Sequence, residues 1–309
     1  MKYWKTRTAA MILVALMLLT GCSPIVEQQK ENTSVYATFY PLYALTSMIA
    51  DGAENVEVHC LVQPQDDCLR SYQLSDWDLY LLAYSADAVI SAGSGLEGFS
   101  DKLKVMGETS LPVAEVMPGL DLYQTDGLVD EENHFSGAIP HLYMSVEGAE
   151  QIAERIEGSL SLLSEQNADT FEQNLVAFKN RLIEIRDEIK KQTEVCIGKS
   201  AAVLHEALFY TARDCGLEIA GWYERESGEM LSGAGLDDCL NMLRDCGAEI
   251  VLLEKQAPSA LVKMLEEAGY TVVRLDIMST LTESDGAEAY LEVLRSNALA
   301  VAEACSALE

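Results

Sequence analysis

Basic side chains are scarce in this sequence. Lysine and arginine together number 21 against 50 aspartates and glutamates, a formal charge of −29. Such a surface repels nucleic acid and anionic lipid headgroups and tolerates cations, so nucleic acid is excluded as a partner. Histidine is rarer still, with four in 309 residues, so each can be weighed singly. No C-x-x-C occurs among the eight cysteines, and a chain of this length has no need of disulfide staples. Long apolar runs are missing too. The longest, TAAMILVALMLL near the start, is about a dozen residues and too short to span a bilayer.

That short run has a different meaning. It follows Lys2, Lys5 and Arg7 and ends in Leu19-Thr20-Gly21-Cys22, which resembles a bacterial lipobox. Residues 1–21 are therefore expected to be a lipoprotein signal peptide, Cys22 the lipidated residue, and 22–33 a polar tether. The mature chain would lie outside the cytoplasm, lipid-anchored to the cell membrane. Residues 1–21 carry three basic and no acidic side chains, so the remainder has a charge of −32. Of the seven other cysteines most are expected as small buried residues, while Cys60 and Cys68 flank one loop and are a possible pair.

About 285 mature residues suit two domains. Strand-like runs at 34–39, 56–62, 87–93 and 111–116 alternate with helix-like ones, and Ser75 reads as an N-cap with Asp76 and Asp78 in the first turn. The alternation resumes with SAAVLH, LEIAGWY, EIVLLE and TVVRLD. Between the two series, apolar residues at 171, 175, 178, 182, 185 and 189 mark one stripe of a helix of about 25 residues, roughly 37 Å long. The expected fold is α/β: two doubly wound parallel-sheet lobes, 34–165 and 194–309, joined by a long rigid helix at 166–193. The ligand cleft would lie between lobes, at the carboxyl ends of the strands.

Gly93-Ser94-Gly95-Leu96-Glu97-Gly98 fits G-x-G-x-x-G, with Glu115 farther on. An exported chain and a third-strand position argue for a tight turn instead of a dinucleotide site. His205 ends the strand AAVLH, His141 follows Pro140, and Asp276 ends TVVRLD. All three fall at loop edges on the expected ligand side, and two imidazoles with a carboxylate suit a divalent transition metal. His59 lies within a strand and reads as packing, whereas His134 sits in a polar loop and reads as solvated, with a place at a metal as the alternative.

TFYPLYAL (38–45), GLE (95–97), PHLYMS (140–145), FEQN (171–174), LHEALFYTA (204–212) and LLEKQ (252–256) stand in an order that resembles the solute-binding lipoproteins of zinc and manganese ABC transporters, family 9 of such proteins. The resemblance covers nearly the whole mature chain. It implies a monomeric metal carrier, not an enzyme, that hands Zn2+ (or, as alternative, Mn2+) to an ABC permease driven by a cytoplasmic ATPase. It implies His141, His205 and Asp276 as ligands, and histidine at position 205 favours zinc over manganese.

One departure stands out. The family's remaining ligand is a histidine whose position, aligned on Tyr72-Gln73-Leu74, holds Arg70. A guanidinium only donates hydrogen bonds and cannot ligate a metal. The histidine-rich loop common in zinc-specific members is also missing. Three readings follow: Cys68, Asp67, Asp66 or His134 completes the shell; a water does; or the site is retargeted to a non-metal or anionic solute gripped by Arg70. A metal-dependent hydrolase is a further alternative, with Glu206 beside His205 as its candidate acid or base.

Overall fold

Among the described residues, eight short strands of three to five residues assemble as two four-stranded sheets. A computed structural model describes residues 32–62, 69–109, 111–124, 137–225 and 227–308. The first sheet holds β1 (Thr33–Ala37), β2 (Val56–Cys60), β3 (Ala88–Ser91) and β4 (Val113–Glu115) in the order β2-β1-β3-β4. The second holds β5 (Ser200–Val203), β6 (Glu218–Trp222), β7 (Ile250–Glu254) and β8 (Thr271–Leu275) in the order β6-β5-β7-β8. β1 pairs with β3 and β3 with β4 in parallel; β5 pairs with β6 and β7, and β7 with β8, also in parallel. Every residue of β3 and β7 is buried, as expected for strands covered on both faces. This is the doubly wound α/β architecture expected, one sheet in each lobe.

Helices cover the sheets: α1 (Tyr40–Ile49), α2 (Asp76–Tyr84) and α3 (Ser100–Thr109) in the first half, α6 (Phe209–Asp214), α7 (Gly233–Cys246) and α8 (Ser259–Glu267) in the second. Between them run α4 (Val146–Leu163) and the 25-residue α5 (Ala168–Gln192). α5 buries Phe171, Phe178, Leu182, Ile185 and Ile189, the stripe read from the sequence, with Leu175 partly buried beside it. It packs on α4, α1 and the final helix α9 (Glu288–Ser306). Residues 34–309 form one compact unit. Among the described residues no helix is long and apolar enough to cross a membrane.

Two local details differ from the sequence reading. The helix-like run after the third strand starts only at Ser100, because Gly93-Ser94-Gly95 turns through three positive φ angles and Glu97 closes that turn. The buried Glu97 carboxylate accepts from Thr38 Oγ1 at 2.9 Å, Ala92 N at 2.6 Å and Gly93 N at 2.9 Å. Strand β5 ends at Val203, two residues before His205, because His205 caps a 3-10 turn. Ser75 does cap α2, in a reciprocal box with Asp78. The signal segment and Cys22 lie outside the described residues, as does Cys68. Cys60 is a free thiol directed at Val62 O.

Candidate functional site

His205 follows β5, with extended backbone, and opens the 3-10 turn Glu206–Leu208. Its Nδ1 accepts from Ala207 N at 3.2 Å, which places the proton of the neutral ring on Nε2. Metal ligation through Nε2 would move that proton to Nδ1 and cost this bond. His141 precedes a second 3-10 turn, Leu142–Met144, after which Ser145 caps α4. Two short turns thus aim two imidazoles at each other: the rings meet edge to face with centroids 6.2 Å apart.

Both rings are buried. Burial, then His205, then Arg70 hold the His141 imidazolium well below its usual range. Burial is also the main cause for His205, which is lowered to about 4; Glu254 opposes the shift, and Arg225 and Arg70 add to it. At neutral pH both are neutral imidazoles, the form that binds metals. His141 Nδ1 is buried and has no hydrogen-bond partner among the described residues.

Glu206 completes this centre. Its Oε1 lies 3.7 Å from His141 Nδ1, and its Oε2 accepts from Arg70 Nη2 at 3.0 Å. Arg70 is held by its backbone. Leu69 O accepts from Gly98 N at 3.2 Å, and a Cβ on Gly98 would come within 1.8 Å of Arg70 O. Tyr72 ties the same segment to α2 through its hydroxyl, which donates to Asp78 at 3.0 Å. The position where the resemblance calls for a histidine thus carries a guanidinium directed at a carboxylate 136 residues away.

Asp276 follows β8 and is buried. Its Oδ1 accepts from Met278 N at 2.7 Å, and its Oδ2 faces Lys255 Nζ at 3.1 Å. Behind His205 runs a fully buried ion pair, in which Arg225 Nη1 donates to both oxygens of Glu254. Gly228 N donates to the same carboxylate at 3.0 Å.

The structure therefore brings His141, His205, Arg70 and Glu206 together. It buries Asp276 at the end of its strand but engages it with Lys255. Among the described residues, no three of His, Cys, Asp and Glu are spaced to hold a metal ion as they stand. Cys68, Asp67, Asp66 and His134, the candidates for a further ligand, lie outside the described residues. His59 packs its ring on Tyr36, as expected of a strand residue. Sequence reasoning had Glu206 only as an acid or base and missed Lys255; Lys255 carried no signal beyond following Glu254 in LLEKQ.

Residues 35–304 match the family model described as ZnuA, the periplasmic component A of the zinc-uptake complex. The chain is 25% identical over 289 residues to the zinc-binding lipoprotein AdcA of Streptococcus pneumoniae, covering 91% of this chain and 57% of AdcA. It thus spans little more than half the length of that relative. It is 27% identical over 277 residues to the manganese-binding lipoprotein MntA of Bacillus subtilis, covering 85% of this chain and 86% of MntA. The solute-binding protein FpvC of Pseudomonas aeruginosa, solved with Ni2+, superposes with a TM-score of 0.76 at 22% identity, over 90% of this chain and 98% of FpvC. The Zn(II)-bound ZnuA-like domain of AdcA superposes with a TM-score of 0.70 at 24% identity, over 88% and 98% of the two chains. At these identities the two superpositions speak for the fold, and the family model decides the kinship. The chain belongs to the ZnuA family of zinc-uptake solute-binding components.

Proposed function

We propose that this chain captures a divalent transition metal outside the cytoplasm, zinc in preference to manganese, and delivers it to an ABC importer. His141, His205 and Asp276 are its ligands in this reading, in a cleft between lobes 34–165 and 194–309. The protein acts as a monomer, lipid-anchored through Cys22 to the cell membrane, and its partners are an ABC permease and the cytoplasmic ATPase that drives it. The observation that carries the reading is a pair of buried, neutral imidazoles facing each other, one with a nitrogen unpartnered among the described residues.

The donor chemistry favours zinc. Imidazole suits zinc, while carboxylate-rich oxygen sets suit manganese. By the resemblance, the position of His205 tends to be histidine in zinc-type members and glutamate in manganese-type ones. The relatives accord with either ion, since AdcA is named as zinc-binding and MntA as manganese-binding. Members of the family are solute-binding proteins and not enzymes, which removes the hydrolase alternative. Retargeting to an anion is disfavoured because Arg70 already grips Glu206.

Calorimetric titration of chelator-stripped protein with Zn2+ and Mn2+ tests the reading. Saturable one-site binding is expected, tighter for zinc and at least tenfold weaker in His141→Ala and His205→Ala. Absence of saturable binding of either ion overturns it.

A further inference from the structure

Resting on that reading, one feature of the centre goes beyond it. Oε1 of Glu206 and Nδ1 of His141 stand 3.7 Å apart, too far for a hydrogen bond. Two ligands bound at about 2.1 Å to one tetrahedral zinc are separated by about 3.4 Å. The two atoms thus already have nearly the spacing of neighbours on one ion. The imidazole rings are farther off. Two rings on one tetrahedral zinc have centroids about 5 Å apart, against the 6.2 Å found, so a contraction of about an ångström completes the set.

What stands against it is Arg70. Its guanidinium meets the other oxygen of Glu206 at 3.0 Å and brings a fixed positive charge to the ligand set. Arg70 retains 28% side-chain exposure, against 9% for Glu206, so the arginine is the more solvent-exposed partner. An arriving dication and Arg70 compete for one carboxylate, and the more exposed Arg70 is the partner placed to give way.

We propose that Glu206 is a carboxylate ligand of the metal, and that Arg70 is a tethered cation which holds that carboxylate until the ion displaces it. Arg70 thereby sets the affinity: it fills the charge requirement of Glu206 in the metal-free protein and lowers the net gain on loading. The same contact favours release, because the guanidinium is at hand to take Glu206 back when the ion leaves.

A double-mutant cycle on the full chain tests this, with Zn2+ affinity measured by competition against a chelator and Co2+ absorption as a second readout of ligand number. The four proteins are wild type, Arg70→Gln, Glu206→Gln and the double variant, with folding checked by circular dichroism. Arg70→Gln is expected to bind zinc at least tenfold more tightly than wild type. Glu206→Gln is expected to lose at least tenfold in both backgrounds and to change the visible Co2+ spectrum in the Arg70→Gln background. Should Glu206→Gln fail to fold, Glu206→Asp keeps the charge and withdraws the carboxylate, and it too is expected to weaken zinc binding. If replacing Glu206 costs affinity only while Arg70 is present, Glu206 is a counter-ion alone and the proposal fails. Unchanged affinity in Arg70→Gln overturns it equally. Failure of all four proteins to bind zinc defeats the metal-carrier reading, whereas a binding wild type with an indifferent Glu206 defeats only the ligand assignment.

Discussion

Asn297, on α9, grips the peptide of Asp276 from both sides: its Oδ1 accepts from Asp276 N at 2.9 Å and its Nδ2 donates to Asp276 O at 2.8 Å. Both residues are buried, so neither backbone group has water as a substitute. Asn297→Ala would leave a buried donor and acceptor unpaired, at a cost of about 2–4 kcal/mol in urea unfolding. Weaker zinc binding should accompany it, because the strand end that presents Asp276 loses its anchor.

Lys255 acts on the same carboxylate in the opposite sense. Its side chain is 55% exposed, so the pair with Asp276 contributes at most about 1 kcal/mol to stability. Lys255→Met is therefore expected to leave the melting temperature nearly unchanged while tightening zinc binding. A loss of zinc affinity in this variant would show that Asp276 needs the ammonium more than it needs the metal.

Gly98 is a packing requirement of the Arg70 segment. The missing Cβ is what allows Arg70 O to sit there, and an alanine would force the two backbones apart. Gly98→Ala should destabilise the protein by about 1–3 kcal/mol. It should also alter zinc affinity without touching any ligand, which a titration of the folded variant would register.

Asp214 gives the fold a pH dependence. Burial raises its carboxyl from 3.8 to about 6, although the bond from Val146 N and the nearby Arg213 oppose the shift. The native state then binds more protons than the unfolded chain between those values, so stability falls as pH rises from about 4 to 6 and levels off above. The loss is on the order of 2–3 kcal/mol. Asp214→Asn should recover part of it at pH 7.5 and nothing at pH 4, as read by denaturant midpoints.

The strands and the α5 stripe were legible because they depend on local periodicity. Each buried run of β3 or β7 announces itself within a handful of residues, and so does the capping pair Ser75 and Asp78. His141 and His205 were legible as candidates from their place at loop edges. The Arg70 substitution was visible too, but its meaning was not. Its partner Glu206 lies 136 positions away, and only tertiary packing brings the two side chains together. The same holds for the buried pair of Arg225 with Glu254, which no local pattern signals.

Glu97 and Glu254 occupy corresponding places. Glu97 ties Thr38, just past β1, to Ala92 and Gly93, just past β3, while Glu254 ends β7 and draws Arg225 in from the loop after β6. In doubly wound sheets such crevices are where nucleotides rest their phosphates. Here Glu97 fills the gap between the ends of β1 and β3 with a carboxylate of the chain itself, so a phosphate there would meet an occupied seat. In the function proposed, recognition falls to the turns that carry His141, His205 and Glu206. Both carboxylates are thus satisfied from within the chain, and the selectivity proposed for the imidazole pair starts from seats already taken.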